Sequence, residues 1–332
     1  MKMTNNAKWL RYFRLYVATD NDNKEALDLS DFRVKFRISQ QLVGKPCTAE
    51  ITVYNVAKST VDRIHIDPNA TYDPKNKLQV IIEAGYENDH GVIFRGDLWW
   101  KSTGRESETD TFMRLVCATG DHAHQYAVVN ASIPKGATQN EVFGIIAKSM
   151  KDKGVKEIAH PDETMEGRLP RGKVLYMLSE RAMNGICDTN GFYWGYGNDG
   201  IIAVPKAPTY DKDKDVIVLN AQTGLIGRPK ITANGIELTC LLDPRLDFHS
   251  LIQIDNASIQ REAYKTDVNQ GVETINTSTN AMESADGLYR VLSREIRGDT
   301  RGTEWYCVLI CEGVNASIKP MTPTVMSTMA NS

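Results

Sequence analysis

The sequence predicts a mainly β protein with an α+β insert, in which two β domains flank one small mixed domain. Three observations lead there. Apolar and polar residues alternate with period two over several short runs between residues 8 and 128. Around Ile133 the period changes to that of a helix, and from about Val216 to Cys311 the β pattern returns. At 332 residues the chain exceeds the usual length of one domain, so two or three are expected.

The first domain is assigned to residues 1–128. Phe32, Val34, Phe36 and Ile38 fall on one face of a strand, with Arg33, Lys35 and Arg37 on the other. Leu78, Val80, Ile82 and Ala84 repeat the pattern of a half-buried strand. Between Ala57 and His65 the spacing of Val61 and Ile64 permits a short helix that starts near Ser59.

Residues 129–207 read as a small α+β domain. Thr138-Gln139-Asn140-Glu141 is a capping box, whose hydroxyl and carboxylate can satisfy free amides at a helix start. Val142, Phe143, Ile146 and Met150 follow at helical spacing, and Gly154 suits the stop. A second helix is expected from Lys173 to Asp188, with Leu175, Leu178, Ala182 and Ile186 along one side. Phe192-Tyr193-Trp194 and Ile201-Ile202-Ala203-Val204 form a hairpin across Gly197-Asn198-Asp199-Gly200, and the charged run from Lys206 to Asp215 reads as a linker.

Residues 208–313 form the second β domain. Its β signals stand in a fixed order: Gly224-Leu225-Ile226-Gly227-Arg228-Pro229, then Gly235-Ile236-Glu237-Leu238, then a long pair of apolar runs over residues 287–311. The last pair is a hairpin, because its turn holds Gly298, Asp299 and Gly302, which tolerate the backbone angles of a tight reversal. Residues 256–286 are rich in Asn, Thr, Ser and Glu and read as a long polar loop, mobile alone or ordered by a partner. Residues 314–332 read as an extended C-terminal tail.

This order of segments resembles the C-terminal barrel of the central baseplate hub proteins of contractile-tailed bacteriophages. Upstream, Leu27-Asp28-Leu29-Ser30-Asp31-Phe32 running on to Ile38, then Pro46-Cys47-Thr48-Ala49-Glu50-Ile51-Thr52-Val53, are similar to that family's opening strands. So are Ala84-Gly85-Tyr86 and Ile93-Phe94-Arg95-Gly96, and together the pieces cover roughly residues 8 to 311. The resemblance implies two tail-tube-like β-barrel domains flanking the small α+β domain. It further implies a structural virion protein and homotrimer, a symmetry adaptor whose three subunits offer six barrels to a six-fold tail tube. Implied partners are the tail tube or its terminator, the central spike and the baseplate wedge proteins. Tape measure and DNA would pass through the channel without specific binding, and assembly would take place in the bacterial host cytoplasm before host cell entry.

Composition is compatible with this and narrows the alternatives. A hydrophobic content of 41% with 24% charged residues describes an ordinary globular protein, and a net charge of −3 argues against a dedicated nucleic-acid binder. The N-terminus shows no secretion leader, since the apolar stretch from Trp9 to Val17 is broken by Arg11 and Arg14. No run approaches the roughly 20 apolar residues of a membrane helix, so no membrane insertion is expected. The six cysteines, Cys47, Cys117, Cys187, Cys240, Cys307 and Cys311, sit in apolar contexts and read as free buried thiols.

Neither an enzyme nor a cofactor site is predicted. Gly195-Tyr196-Gly197-Asn198-Asp199-Gly200 satisfies the dinucleotide pattern, yet the β-branched residues after it do not open the helix that pyrophosphate binding needs. Asp121-His122-Ala123-His124 could be half of a metal site, with both histidines on one strand face, but nothing in the sequence completes it, and surface histidines at a strand end are the expectation. Glu106 and Glu108 sit in a polar turn and read as solvated. No catalytic, cofactor-binding or metal-binding residue is therefore named.

The candidate residues belong instead to subunit or partner interfaces. The strand from Trp305 to Cys311 is apolar on both faces, so Tyr306, Val308 and Ile310 need cover, from the chain's own middle domain or from a neighbouring subunit. Trp99 and Trp100 raise the same question, because adjacent residues of a strand point oppositely. Arg33, Lys35 and Arg37 form a basic stripe, read as a solvated face or as a contact for acidic surfaces of tube or spike. Two other functions compete: a tail-associated cell-wall hydrolase, and the hub-like part of a type VI secretion spike, for which little chain remains after Gly313 to hold a β-helix.

Overall fold

The computed structural model describes residues 8–20, 24–41, 44–65, 77–151, 153–155, 157–158, 165–198, 200–206, 216–232, 235–247, 250–254 and 287–314. The linker expected after Lys206, the polar loop 256–286 and all but Val314 of the expected tail lie outside them.

The chain is mainly β with a mixed insert, as the periodicity predicts. Its first region runs β1 (Arg11–Ala18), β2 (Ala26–Asp28), β3 (Val34–Gln41), β4 (Cys47–Tyr54), α1 (Lys58–Arg63), β5 (Gln79–Tyr86), β6 (Asp89–Arg105) and β7 (Thr111–Thr119). The insert holds α2 (Asp121–Tyr126), β8 (Val128–Ile133), α3 (Gln139–Lys151), β9 (Glu157–Ile158), β10 (Lys173–Leu178), α4 (Ser179–Asn190), β11 (Phe192–Tyr196) and β12 (Gly200–Pro205). The last region adds β13 (Ile217–Leu219), β14 (Leu225–Thr232), β15 (Gly235–Leu241), β16 (Leu251–Ile254), β17 (Leu288–Asp299) and β18 (Trp305–Gly313).

The two β regions, which periodicity presents as separate, share one sheet of 13 strands. Its main path is β14-β15-β18-β17-β3-β4-β7-β6-β5-β1-β2, with β16 on the first part of β17 and β13 on β16. The join is the antiparallel pairing of β3 with β17, from Ser293↔Gln41 to Asp299↔Lys35. The sheet curls so that its far strands return to this seam. Trp305 of β18 donates its indole N–H to the Gly85 carbonyl of β5 at 3.2 Å, and Arg11 of β1 donates to the Asp299 carbonyl at 3.1 Å. One continuous core fills the curl, with Leu15, Phe36 and Phe94 of the first region against Leu238, Trp305 and Leu309 of the last.

The insert keeps its own core around Phe143, Met183 and Trp194. Its first helix starts as the capping box predicts: the Thr138 amide donates to Glu141 Oε2 at 2.7 Å, and the Glu141 amide donates to Thr138 Oγ1 at 3.2 Å. The expected helix from Lys173 to Asp188 is corrected in its first third. Residues Lys173–Leu178 are β10, antiparallel to β8, and only from Ser179 does the chain turn helical. The run Lys-Val-Leu-Tyr-Met-Leu carries a β-branched and an aromatic residue and has a strand partner in Val128–Ile133, which outweighs its weak helical spacing. Asp121 to His124 are also corrected: they begin the helix α2 rather than end a strand.

Candidate functional site

β17 joins the two β regions, and two buried arginines on it fix its neighbours. Arg294, 1% exposed, donates Nε–H to Gln40 Oε1 of β3 at 2.7 Å, reaches the Leu246 carbonyl, and lies 3.3 Å from Asp247. Arg290, 2% exposed, donates to the Lys206 carbonyl at 3.0 Å and contacts the Pro205 carbonyl and Glu312. It thereby ties the end of the insert to β17 and β18. Buried guanidinium groups need such partners, because an unpaired charge away from water costs several kcal/mol; of the nitrogens of the two groups, Arg290 Nε is left without one among the described residues. Sequence reasoning missed both, since in a strand otherwise rich in Arg, Ser and Glu they look like solvated residues.

The basic stripe is engaged at the same seam. Arg33 places Nη2 at 2.8 Å and Nε at 3.3 Å from the Asp299 carboxylate, and Arg37 Nη2 lies 2.7 Å from Glu295 Oε2. Lys35 lies 5.4 Å from the centre of the Tyr54 ring. Burial alone would raise the Asp299 pKa, but the Arg33 hydrogen bond and the amides of Arg301 and Gly302 outweigh it and hold the carboxyl below its ordinary value. For Glu295, hydrogen bonds from Arg37 and Arg297 likewise overcome burial. Arg33 and Arg37 thus join strand to strand within the chain.

The outer face of β18 has a mixed cover. Tyr306, Val308 and Ile310 are half-buried, and their cross-strand neighbours are Leu241, Thr239 and Glu237 on β15 and Arg297, Glu295 and Ser293 on β17. Their opposite face, Trp305, Cys307, Leu309 and Cys311, is sealed in the core.

Trp99 and Trp100 stand apart from these. Both are exposed, 67% and 51%, whereas Leu98 is buried. A bulge explains why two adjacent residues face water: Leu98 pairs with Cys117 and Trp100 with Val116, so Trp99 is the extra residue. β5 accompanies β6 only as far as Asp97, with one further bond from the Leu98 amide to the Leu78 carbonyl. Beyond that point β6 and β7 run on to a tip at Glu106 and Glu108, and Lys101 supports the stalk by donating to the Val61 carbonyl at 3.0 Å. A second exposed apolar surface, not foreseen because β10 was read as helix, is formed by Val128, Val174 and Tyr176 on β8 and β10.

The sequence features weighed for chemistry have the following settings. Gly197 and Gly200 close the β11–β12 hairpin through an amide to carbonyl bond of 2.7 Å, with no helix following. His122 is buried in α2 rather than at the surface, and burial, with Lys77 nearby, pushes its pKa down to about 4. Among the described residues no group of three or more His, Cys, Asp or Glu side chains is placed to hold a metal. All six thiols are free and buried. A cavity between the β sheet and the insert, lined by Arg95, Gly120, Tyr196 and Asn198 among others, measures about 30 Å³, room for a water or two, and a wider, more open one of about 440 Å³ is lined by Ile133, Ala137, Glu141 and Lys148 among others.

Comparison with known proteins places this architecture. The profile of the family described as Baseplate hub gp41 matches residues 14–258. The 43 kDa tail protein of prophage MuSo2 from Shewanella oneidensis superposes with a TM-score of 0.55 at 8% identity, over 92% of this chain and 98% of that one. A tail protein from Neisseria meningitidis MC58 gives 0.54 at 7% identity, over 92% and 99%. The E. coli c3393 protein, described as a type VI secretion component similar to the phage T4 tail proteins gp27 and gp5, gives 0.51 at 8% identity, over 85% and 73%. At such identities the likeness is one of fold. No curated protein matches the sequence.

Proposed function

The chain belongs to the baseplate hub gp41 family, and from that premise we propose that it is the trimeric central hub of a contractile phage-tail baseplate, joining the six-fold tail tube to the three-fold spike. It is a structural component of a phage tail baseplate; the trimer, the junction and the channel are the further reading.

The observation that carries this reading is the seam of β3 and β17. It sets two β regions of one polypeptide side by side in a single curved sheet. Three such chains around an axis would present six comparable β segments, which is how a three-fold ring can meet a six-fold tube. The tube or its terminator would sit on one side, the spike on the other and wedge proteins at the rim, with the tape measure and DNA passing through the centre. The exposed indoles of Trp99 and Trp100 supply apolar surface of the kind an obligate interface covers. Tyr306, Val308 and Ile310 could add to it at the margin.

Imaging of the purified protein, alone and with the spike, tests the reading. A three-fold ring with an open centre is expected; a strictly monomeric particle at every concentration, with spike present, overturns it. A cell-wall turbidity assay separates it from a tail hydrolase, and no clearing is expected.

A further inference from the structure

We infer that copies of this chain dock head to tail: the acid-tipped β6–β7 hairpin of one copy packs on the basic-edged outer face of β8 and β10 of the next. The inference rests on the trimer reading above and gives it a contact.

The receiving face comes from a two-stranded sheet that pairs with nothing else among the described residues. Register places Val174 opposite Ser132, Tyr176 opposite Asn130 and Leu178 opposite Val128, so these side chains share one face. On it Val174, Tyr176 and Val128 are 73%, 76% and 47% exposed, while Val129, Ile133 and Leu175 of the other face are buried in the insert's core. The end of this sheet is basic. Lys135, Arg168 and Arg171 are all exposed, and among the described residues none of the three is ion-paired. Their loops are fixed to each other: the Gly136 amide donates to the Leu169 carbonyl and the Leu169 amide to the Ala137 carbonyl, each at 2.9 Å. Among the described acids nearby, Glu166 is exposed and Glu141 is spent on its helix cap.

The hairpin offers the complement. Its stalk exposes Trp99 and Trp100, and its tip exposes Glu106 and Glu108, with Asp110 held by Asn55 at 3.0 Å and Ser107 at 3.1 Å. Indoles against Tyr176 and two valines make an apolar centre, and carboxylates against the three cations make a charged rim, which is the ordinary anatomy of an interface. Both halves lie on one chain and differ from each other, so a contact between them is heterologous. Heterologous contacts close into rings when the rotation permits, whereas a self-matching patch would give a two-fold dimer.

Mass photometry or sedimentation of charge-reversed variants tests this. Glu106→Lys with Glu108→Lys, and separately Lys135→Glu with Arg171→Glu, should each weaken self-association by at least about ten-fold, and the four changes combined in one chain should restore most of it. These positions are exposed, so thermal midpoints should stay near that of the unchanged protein. Cross-linking supplies an independent readout, because the native thiols are buried. Trp100→Cys mixed with Tyr176→Cys should give a hetero-cross-link with a short bis-maleimide, and Trp100→Cys alone should give none. A wild-type trimer indifferent to both reversals, or without that cross-link, overturns the docking mode and leaves the hub reading standing; a wild-type monomer overturns both.

Discussion

Arg33 and Asp299, 266 positions apart in the chain, meet at 2.8 Å on the line where β3 joins β17. Arg11 adds a second clasp there, donating to the Asp299 carbonyl at 3.1 Å and to the Gly302 carbonyl at 2.6 Å while its guanidinium lies 5.2 Å from the Trp305 ring. The turn of the last hairpin therefore anchors the first region of the chain to the last.

Asp299→Ala should destabilise the fold by about 1–3 kcal/mol in chemical denaturation, since it removes a mostly buried carboxylate and leaves the Arg301 amide without its acceptor. The sign with pH follows from the depressed Asp299 pKa. The carboxylate's contribution is full above the unfolded pKa near 4 and is lost as pH falls through the lower folded value. The stability difference between wild type and Asp299→Ala should shrink accordingly on acidification.

Arg294→Ala should cost about 3–5 kcal/mol, because Gln40 and the Leu246 carbonyl lose their buried donor. Arg294→Met, which fills the same space without a charge to satisfy, should cost less. Urea titration of the two variants reads the difference directly.

His122 gives a separate acid response. Its pKa of about 4 in the fold lies below that of an unfolded histidine near 6.5, so stability is unaffected above pH 6.5 and falls as pH drops from there towards 4. The loss should be on the order of 3 kcal/mol. His122→Asn should flatten this part of the stability profile, and an unchanged slope would refute the assignment.

Trp99→Ser combined with Trp100→Ser should leave the thermal midpoint within about 2 °C of wild type, as both indoles face water. Ring assembly should fall. An intact fold with unchanged assembly would remove these residues from the interface.

How far the sequence could be read depended on the range of the interaction. Thr138 and Glu141 announce their helix because both partners lie within four residues. The alternation of Val34, Phe36 and Ile38 announces a strand for the same reason, and all three prove buried. Lys173–Leu178 was misread because its strand partner, Val128–Ile133, lies some 40 residues upstream and leaves no local mark. The seam was invisible on the same ground. Arg33 and Arg37 look like a solvated stripe until Asp299 and Glu295 are brought to them, and Trp99 looks like one half of an in-and-out pair until the bulge turns both indoles outward.

The ladder between β3 and β17 also has a mechanical meaning. It holds seven residue pairs from Ser293↔Gln41 to Asp299↔Lys35. A pull along the strand direction loads these bonds in shear, so they must break together rather than one after another. On the hub function proposed above, thrust passing through the baseplate would load this seam as a lap joint rather than as a zipper.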